Sequence, residues 1–116
     1  DPVIDEKIKK LSLILSFNKY EDDEYIIYPA TSIQDLVEES RQQKNCVRTY
    51  CEAISNNESQ IYFMRRKEEL DKSFVTIEVN DKKIIQARVK YNELPSKEIN
   101  EILNKWEQNL IPITNN

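Results

Sequence analysis

The sequence predicts an α+β domain: a small, mainly antiparallel sheet of three or four strands with helices packed on one face. Three observations carry this. An amphipathic helical stretch opens the chain, three alternating segments follow one another between residues 60 and 91, and a second amphipathic stripe closes it. At 116 residues the chain suits one domain with one core, spanning 1–116. It opens "DPVID" without a methionine, which reads as a piece cut from a longer protein or as a processed chain.

The elements are justified in order. Ile4, Ile8, Leu11, Ile14 and Leu15 share a helical face, so a helix is expected over 4–17, with Asp5 and Glu6 near its start. "KYEDDE" reads as an acidic loop, and "YIIYPA" as a short strand stopped by Pro29. Thr31 or Ser32 caps the next helix, whose apolar stripe is Ile33, Leu36 and Val37. "EESRQQKN" is polar throughout, so the helix is expected to break near Ser40 and restart at Asn45. The restarted helix turns Val47, Tyr50, Cys51 and Ile54 inward and stops at Asn56-Asn57. Cys46 then lies at a helix N-terminus, where the dipole favours a thiolate.

"QIYFMRRK", "SFVTIEVN" and "KIIQARVKY" read as a meander. A three-residue loop, Asn80-Asp81-Lys82, sets Val75, Ile77 and Val79 beside Ile85, Ala87 and Val89 on one face. The other face then carries Thr76, Glu78, Gln86, Arg88 and Lys90. Ser96 starts the last helix, with Ile99, Ile102, Leu103, Trp106 and Leu110 as its stripe and Pro112 beyond its end. The first and last helices are expected to share the apolar face of the sheet.

Composition excludes several chemistries. With no glycine, the chain has no Gly-rich phosphate loop, and Asn or Asp must supply the left-handed backbone positions. With no histidine, it has neither a Ser-His-Asp nor a Cys-His arrangement, nor a zinc site needing imidazole. No cofactor and no metal site is implied. Cys46 and Cys51 would point about 140° apart on a helix, so a disulfide is not expected and the compartment reads as reducing and cytoplasmic. No apolar run approaches the roughly 20 residues of a membrane span. The net charge of −4 does not favour non-specific nucleic-acid binding, although Arg65, Arg66 and Lys67 form a local basic run.

The stretch "NCVRTY … IYFMRRKEELDKSFVTIEVNDKKIIQARVKYNELP" resembles the PcfJ-like domain family, over about residues 36 to 106. The family is named for a protein of a pheromone-responsive conjugative plasmid, and its members are common on bacterial mobile elements. Its pattern runs His-Cys-Val-x-x-Tyr, an apolar strand ending in basic residues, Thr-x-Glu, then Gln-x-Arg-Gly-Lys-x-Asn. By that resemblance the motif positions are Cys46, Tyr50, Arg65, Arg66, Thr76, Glu78, Gln86, Arg88, Lys90 and Asn92. Asn45 stands where the family has histidine, and Val89 where it has glycine. Tyr91 and Glu93 also depart from the pattern. The resemblance implies conjugation or mobile-element biology, with no stated reaction.

Two functional readings follow. The first is an accessory domain whose polar sheet face binds a protein or an anionic or nucleic-acid ligand through Tyr50, Arg66, Thr76, Gln86, Arg88, Lys90 and Asn92. The second is a small or decayed enzyme using Glu78 as base and Cys46 as nucleophile on a polar or phosphorylated substrate. The plainer readings are a buried cysteine, a solvated sheet face with cross-strand ion pairs and an ordinary charged strand end at Arg65–Lys67. Tyr20, Tyr25, Tyr28, Tyr62 and Trp106 read as core or rim residues, with stacking platforms as the alternative.

Overall fold

Helix α1, Pro2–Leu15, starts where Asp1 accepts hydrogen bonds from the Val3 and Ile4 amides and Pro2 opens the first turn. A computed structural model describes residues 1–113 of the chain. The start is two residues earlier than periodicity suggests, and the expected last turn is a separate 3₁₀ turn, Ser16–Asn18.

Five strands form one antiparallel sheet in chain order: β1 (Tyr20–Glu21), β2 (Tyr25–Pro29), β3 (Gln60–Arg66), β4 (Val75–Asn80) and β5 (Lys83–Arg88). The expectation of three or four strands missed β1. It is two residues long, too short to show alternation, and it lies in the expected acidic loop. Asp22 makes its turn by accepting from the Glu24 and Tyr25 amides at 2.8 and 2.7 Å.

Between β2 and β3 come helix α2 (Ile33–Gln43), a 3₁₀ turn (Val47–Tyr50) and the short helix α3 (Cys51–Ser55). Helix α4, Lys97–Gln108, ends the fold, capped by Ser96 onto the Ile99 amide. Ser32 caps α2 in the same way, onto the Asp35 amide. Among the described residues no helix is long and apolar enough to cross a membrane.

The helices lie on both faces of the sheet, which corrects the one-sided expectation. On one face, Ile99, Leu103 and Trp106 of α4 pack with Tyr62, Met64, Val75, Ile77 and Val79. On the other, Ile8 of α1, Leu36 of α2 and Ile54 of α3 pack with Ile61 and Phe63. The first and last helices therefore sit mainly on opposite faces, with only Leu15, at the end of α1, reaching the α4 side. The cause is visible in β3: "IYFMR" is buried on both sides, as a central strand covered twice must be.

Two further expectations are corrected. Helix α2 does not break near Ser40 but runs to Gln43 and ends at Lys44 in the left-handed region, φ 58°. Its polar segment is not exposed, because Glu39, Ser40 and Gln43 are buried, while Val37 faces outward. The β4–β5 hairpin has a two-residue turn, Asp81-Lys82, with both φ positive, which is the twist a tight hairpin needs. A register shift then follows between Glu78 and Val79, so Val79 pairs Ile84 while Glu78 pairs Gln86. Ile85 is the extra residue. It is exposed instead of inward, and Ile84 takes its place against the core.

On the α4 face, the Tyr62 hydroxyl donates to Gln60 Oε1 at 2.8 Å and accepts from Asn18 Nδ2 at 3.0 Å. Burial pushes this hydroxyl up to about 12, against an ordinary 10.0. A phenol whose folded value is raised loses stability as pH climbs from the unfolded value through the folded one. Unfolding free energy is therefore expected to fall between about pH 10 and 12, by roughly 2–3 kcal/mol for this group. Urea titrations at stepped pH check this. Tyr62→Phe should flatten part of the slope; Tyr20, pushed up to about 12 by its hydrogen bond to Asp22, and Tyr25 and Tyr28, pushed up by burial, contribute to what remains.

A polar cleft between the sheet and helix α2

Alternation along β4 and β5 sends Thr76, Glu78, Gln86 and Arg88 to the face covered by α2, where Thr76 pairs Arg88 and Glu78 pairs Gln86. The predicted polar row is thus real up to Arg88. It is partly covered: Thr76 is buried, and Glu78, Gln86 and Arg88 are half-buried. The roof is the end of α2 and the 3₁₀ turn after it. Together they enclose a cleft of about 380 Å³ lined by Lys44, Asn45, Cys46, Val47, Tyr50, Ile61, Thr76, Glu78, Gln86, Arg88 and Asn92.

Beneath the cleft lies a buried polar network. Glu39 is 1% exposed and ion-pairs with Arg65. Its carboxylate also accepts from Ser73 Oγ and Thr76 Oγ1, each at 2.6 Å. Thr76 Oγ1 in turn accepts from Gln43 Nε2 and Asn45 Nδ2, each at 3.4 Å. Gln43 Nε2 donates as well to the Phe74 carbonyl at 3.0 Å. The chain of bonds runs from Arg65 to Asn45, so the cleft wall is braced by the ion pair behind it. No buried side-chain nitrogen or oxygen among the described residues lacks a partner.

Within the cleft, Glu78 accepts from Ser59 Oγ at 3.1 Å and from Gln86 Nε2 at 3.0 Å, one donor on each oxygen. That fixes the carboxylate and leaves lone pairs for a ligand donor. The Arg88 guanidinium donates to the Ala87 carbonyl at 3.1 Å. Among the described residues, no carboxylate pairs with it or with Lys44. Val47, Ile61 and the half-buried Tyr50 supply apolar wall.

Cys46 is exposed at the cleft rim, which overturns the plainer reading of a packed thiol. The helix expected to start beside it is only a four-residue 3₁₀ turn, too short to project a long helix's dipole. Asn45 Oδ1 does accept from the Val47 amide at 3.1 Å, as a cap does. Cys51 is half-buried, its Sγ donates to the Arg48 carbonyl at 3.2 Å, and burial pushes its thiol up.

Seven of the nine residues singled out from the sequence meet in this cleft: Cys46, Tyr50, Thr76, Glu78, Gln86, Arg88 and Asn92. Two do not. Arg66 points to the opposite face and stacks on Phe74, its guanidinium carbon 4.0 Å from the ring centre. The arginine on the cleft side is Arg65, and Glu39 already holds it. Lys90 is off the sheet, because β5 ends at Arg88 and Lys90–Asn92 form a turn in which Tyr91 and Asn92 both have positive φ. That turn brings Asn92 into the cleft and leaves Lys90 outside it, above the Tyr91 ring. Glu39, Gln43, Lys44 and Ser59 were missed. One signal for two of these positions lay in spacing: Leu36, Glu39, Ser40 and Gln43 continue one helical stripe in polar residues.

The chain is an α+β domain with a braced, mixed-charge cleft between its sheet and helix α2. The chain belongs to the PcfJ-like protein family, whose model matches residues 3–103. An uncharacterised protein of Listeria innocua is 30% identical over 103 residues, 87% of this chain. The chain spans 21% of that relative's length, about a fifth. No solved structure matches the chain.

Proposed function

We propose that this chain is an accessory binding domain of a conjugation-related, mobile-element protein, and that its cleft holds the anionic group of a ligand. Membership of the PcfJ-like family supports the context. One observation carries the ligand class: Arg88 and Lys44 face one cleft without a carboxylate partner among the described residues. A guanidinium in a recess with one neighbouring cation suits a phosphate or carboxylate. Glu78 and Gln86, side by side on adjacent strands, suit a donor-bearing part of the same ligand.

Cys46 supplies the assay. It is exposed and lines the cleft, so a bound ligand shields it from alkylation. With Cys51 changed to Ser, protection is measured against inorganic phosphate, pyrophosphate, nucleoside 5′-monophosphates and citrate. At least one is expected to slow iodoacetamide labelling, and Arg88→Met is expected to weaken that ligand about 10- to 100-fold, the range for a lost charged hydrogen bond. Undiminished labelling with every member of the panel would refute the cleft reading.

The enzyme reading has one observation in its favour, since Cys46 and Glu78 line the same cleft. A thiol nucleophile needs a proton acceptor within hydrogen-bond reach. Among the described residues Glu78 is engaged by Ser59 and Gln86, not by Cys46. Binding is the better supported use.

A further inference from the structure

A second, shallower cavity of about 520 Å³ adjoins the cleft. The two share Lys44, and the Lys90–Asn92 turn separates them: Asn92 lines the first, Lys90 and Tyr91 the second. Arg41 and Lys72 line the second cavity as well, paired with Glu38 and Glu69 on the open surface. Lys44 and Lys90 have no such pairing among the described residues. Three cations without a carboxylate partner among the described residues, Arg88, Lys44 and Lys90, line the two cavities, beside the carboxylates of Glu78 and Glu93, in a chain whose net charge is −4.

Tyr91 stands on the ridge between them. It is 66% exposed. Its φ of 61° lies in the left-handed region, which is unfavourable for a bulky residue. Lys90 lies over the ring, 5.3 Å from its centre. The ridge thus offers a flat apolar face with a cation beside it, and the cleft behind it offers a recess with hydrogen-bonding groups at its floor.

Resting on the cleft reading above, we infer that the two cavities form one track for single-stranded nucleic acid. One unstacked base enters the cleft, where Glu78 and Gln86 meet its polar edge. The next base stacks on Tyr91. Arg88, Lys44 and Lys90 meet the phosphates between. A cationic groove with an aromatic face for a base to stack on suits a single strand. A duplex keeps its bases stacked inside and cannot fill a recess of this size.

The test uses the 116-residue chain and a fluorescein-labelled 12-nucleotide strand of mixed sequence, read by anisotropy. The strand is expected to bind at least tenfold more tightly than its duplex. The slope of log K against log salt should be about −2, as three phosphates on a single strand give. Lys90→Glu and Tyr91→Asn are each expected to weaken the strand about tenfold; Asn tolerates the left-handed backbone, so the fold is spared. Neither variant should alter shielding of Cys46 by a nucleoside monophosphate. Equal binding of duplex, equal binding of an acidic peptide of matched charge, or no loss in both variants would each overturn the track. If the monophosphate still shields Cys46 in those cases, the cleft reading stands and only the track falls. If nothing shields Cys46, the cleft reading is what failed.

Discussion

Replacing Arg65 by methionine is expected to lower the unfolding free energy by about 3–5 kcal/mol, the range for stripping one partner from a buried ion pair. Glu39 is the reason. It is 1% exposed, and among the described residues Arg65 is its only counter-charge. The hydroxyls of Ser73 and Thr76 remain, but two neutral donors do not balance a buried carboxylate. For a domain whose total stability is about 5–15 kcal/mol, the loss is a large share. Urea unfolding measures it. Removing both charges in Arg65→Met/Glu39→Leu is expected to recover much of the deficit, because the penalty lies in the orphaned charge and not in the missing pair. A stable single variant would mean that Glu39 finds water or a new donor, and that the network is looser than its geometry.

The same substitution should reach the cleft. Thr76 Oγ1 donates to Glu39 and accepts from Gln43 and Asn45, so the orientation of the cleft wall depends on the ion pair behind it. In the folded fraction of Arg65→Met, ligand shielding of Cys46 should weaken with no change to Arg88 or Glu78.

What could be read in the sequence, and what could not, divides along a physical line. Period-two alternation placed Thr76, Glu78, Gln86 and Arg88 on one face, because side-chain direction in a strand is local. The hairpin register was misread because a bulge costs one residue and leaves no compositional mark: Ile85 looks as apolar as Ile84, yet only one faces the core. Lys90 was lost to the same cause, since nothing local announces that the strand ends at Arg88. The roof over the polar face was illegible for another reason. Apolar periodicity finds helices that bury carbon, and α2 buries Glu39, Ser40 and Gln43 instead. The partners of Glu39 and Gln43, namely Arg65 and Thr76, are more than twenty residues away, so only the fold brings the two halves of the network together.

On the other face of the sheet, Trp106→Ala is expected to cost about 3–5 kcal/mol, the range for deleting a buried aromatic. Trp106 is 4% exposed and meets Tyr62 edge to face, with ring centres 4.9 Å apart. Its Nε1 donates to the Asn18 carbonyl at 2.7 Å. Asn18 itself ties three parts of the chain: Nδ2 donates to the Tyr62 hydroxyl and to the Ile111 carbonyl, and Oδ1 accepts from the Ile111 amide at 2.8 Å. Deleting the indole therefore opens a cavity and leaves the Asn18 carbonyl short of a donor. Trp106→Phe keeps a buried aromatic ring but loses the Nε1 bond and part of the indole volume, so a smaller loss, about 1–3 kcal/mol, is expected there. Thermal and urea unfolding separate the two. The sheet lies between this face and the cleft, so Trp106→Ala should leave shielding of Cys46 unchanged wherever the protein is still folded, whereas Arg65→Met should not. A large loss of shielding in both variants would mean that the two faces are coupled through β3 and β4, and that the cleft is held by the whole core instead of by the Glu39 network.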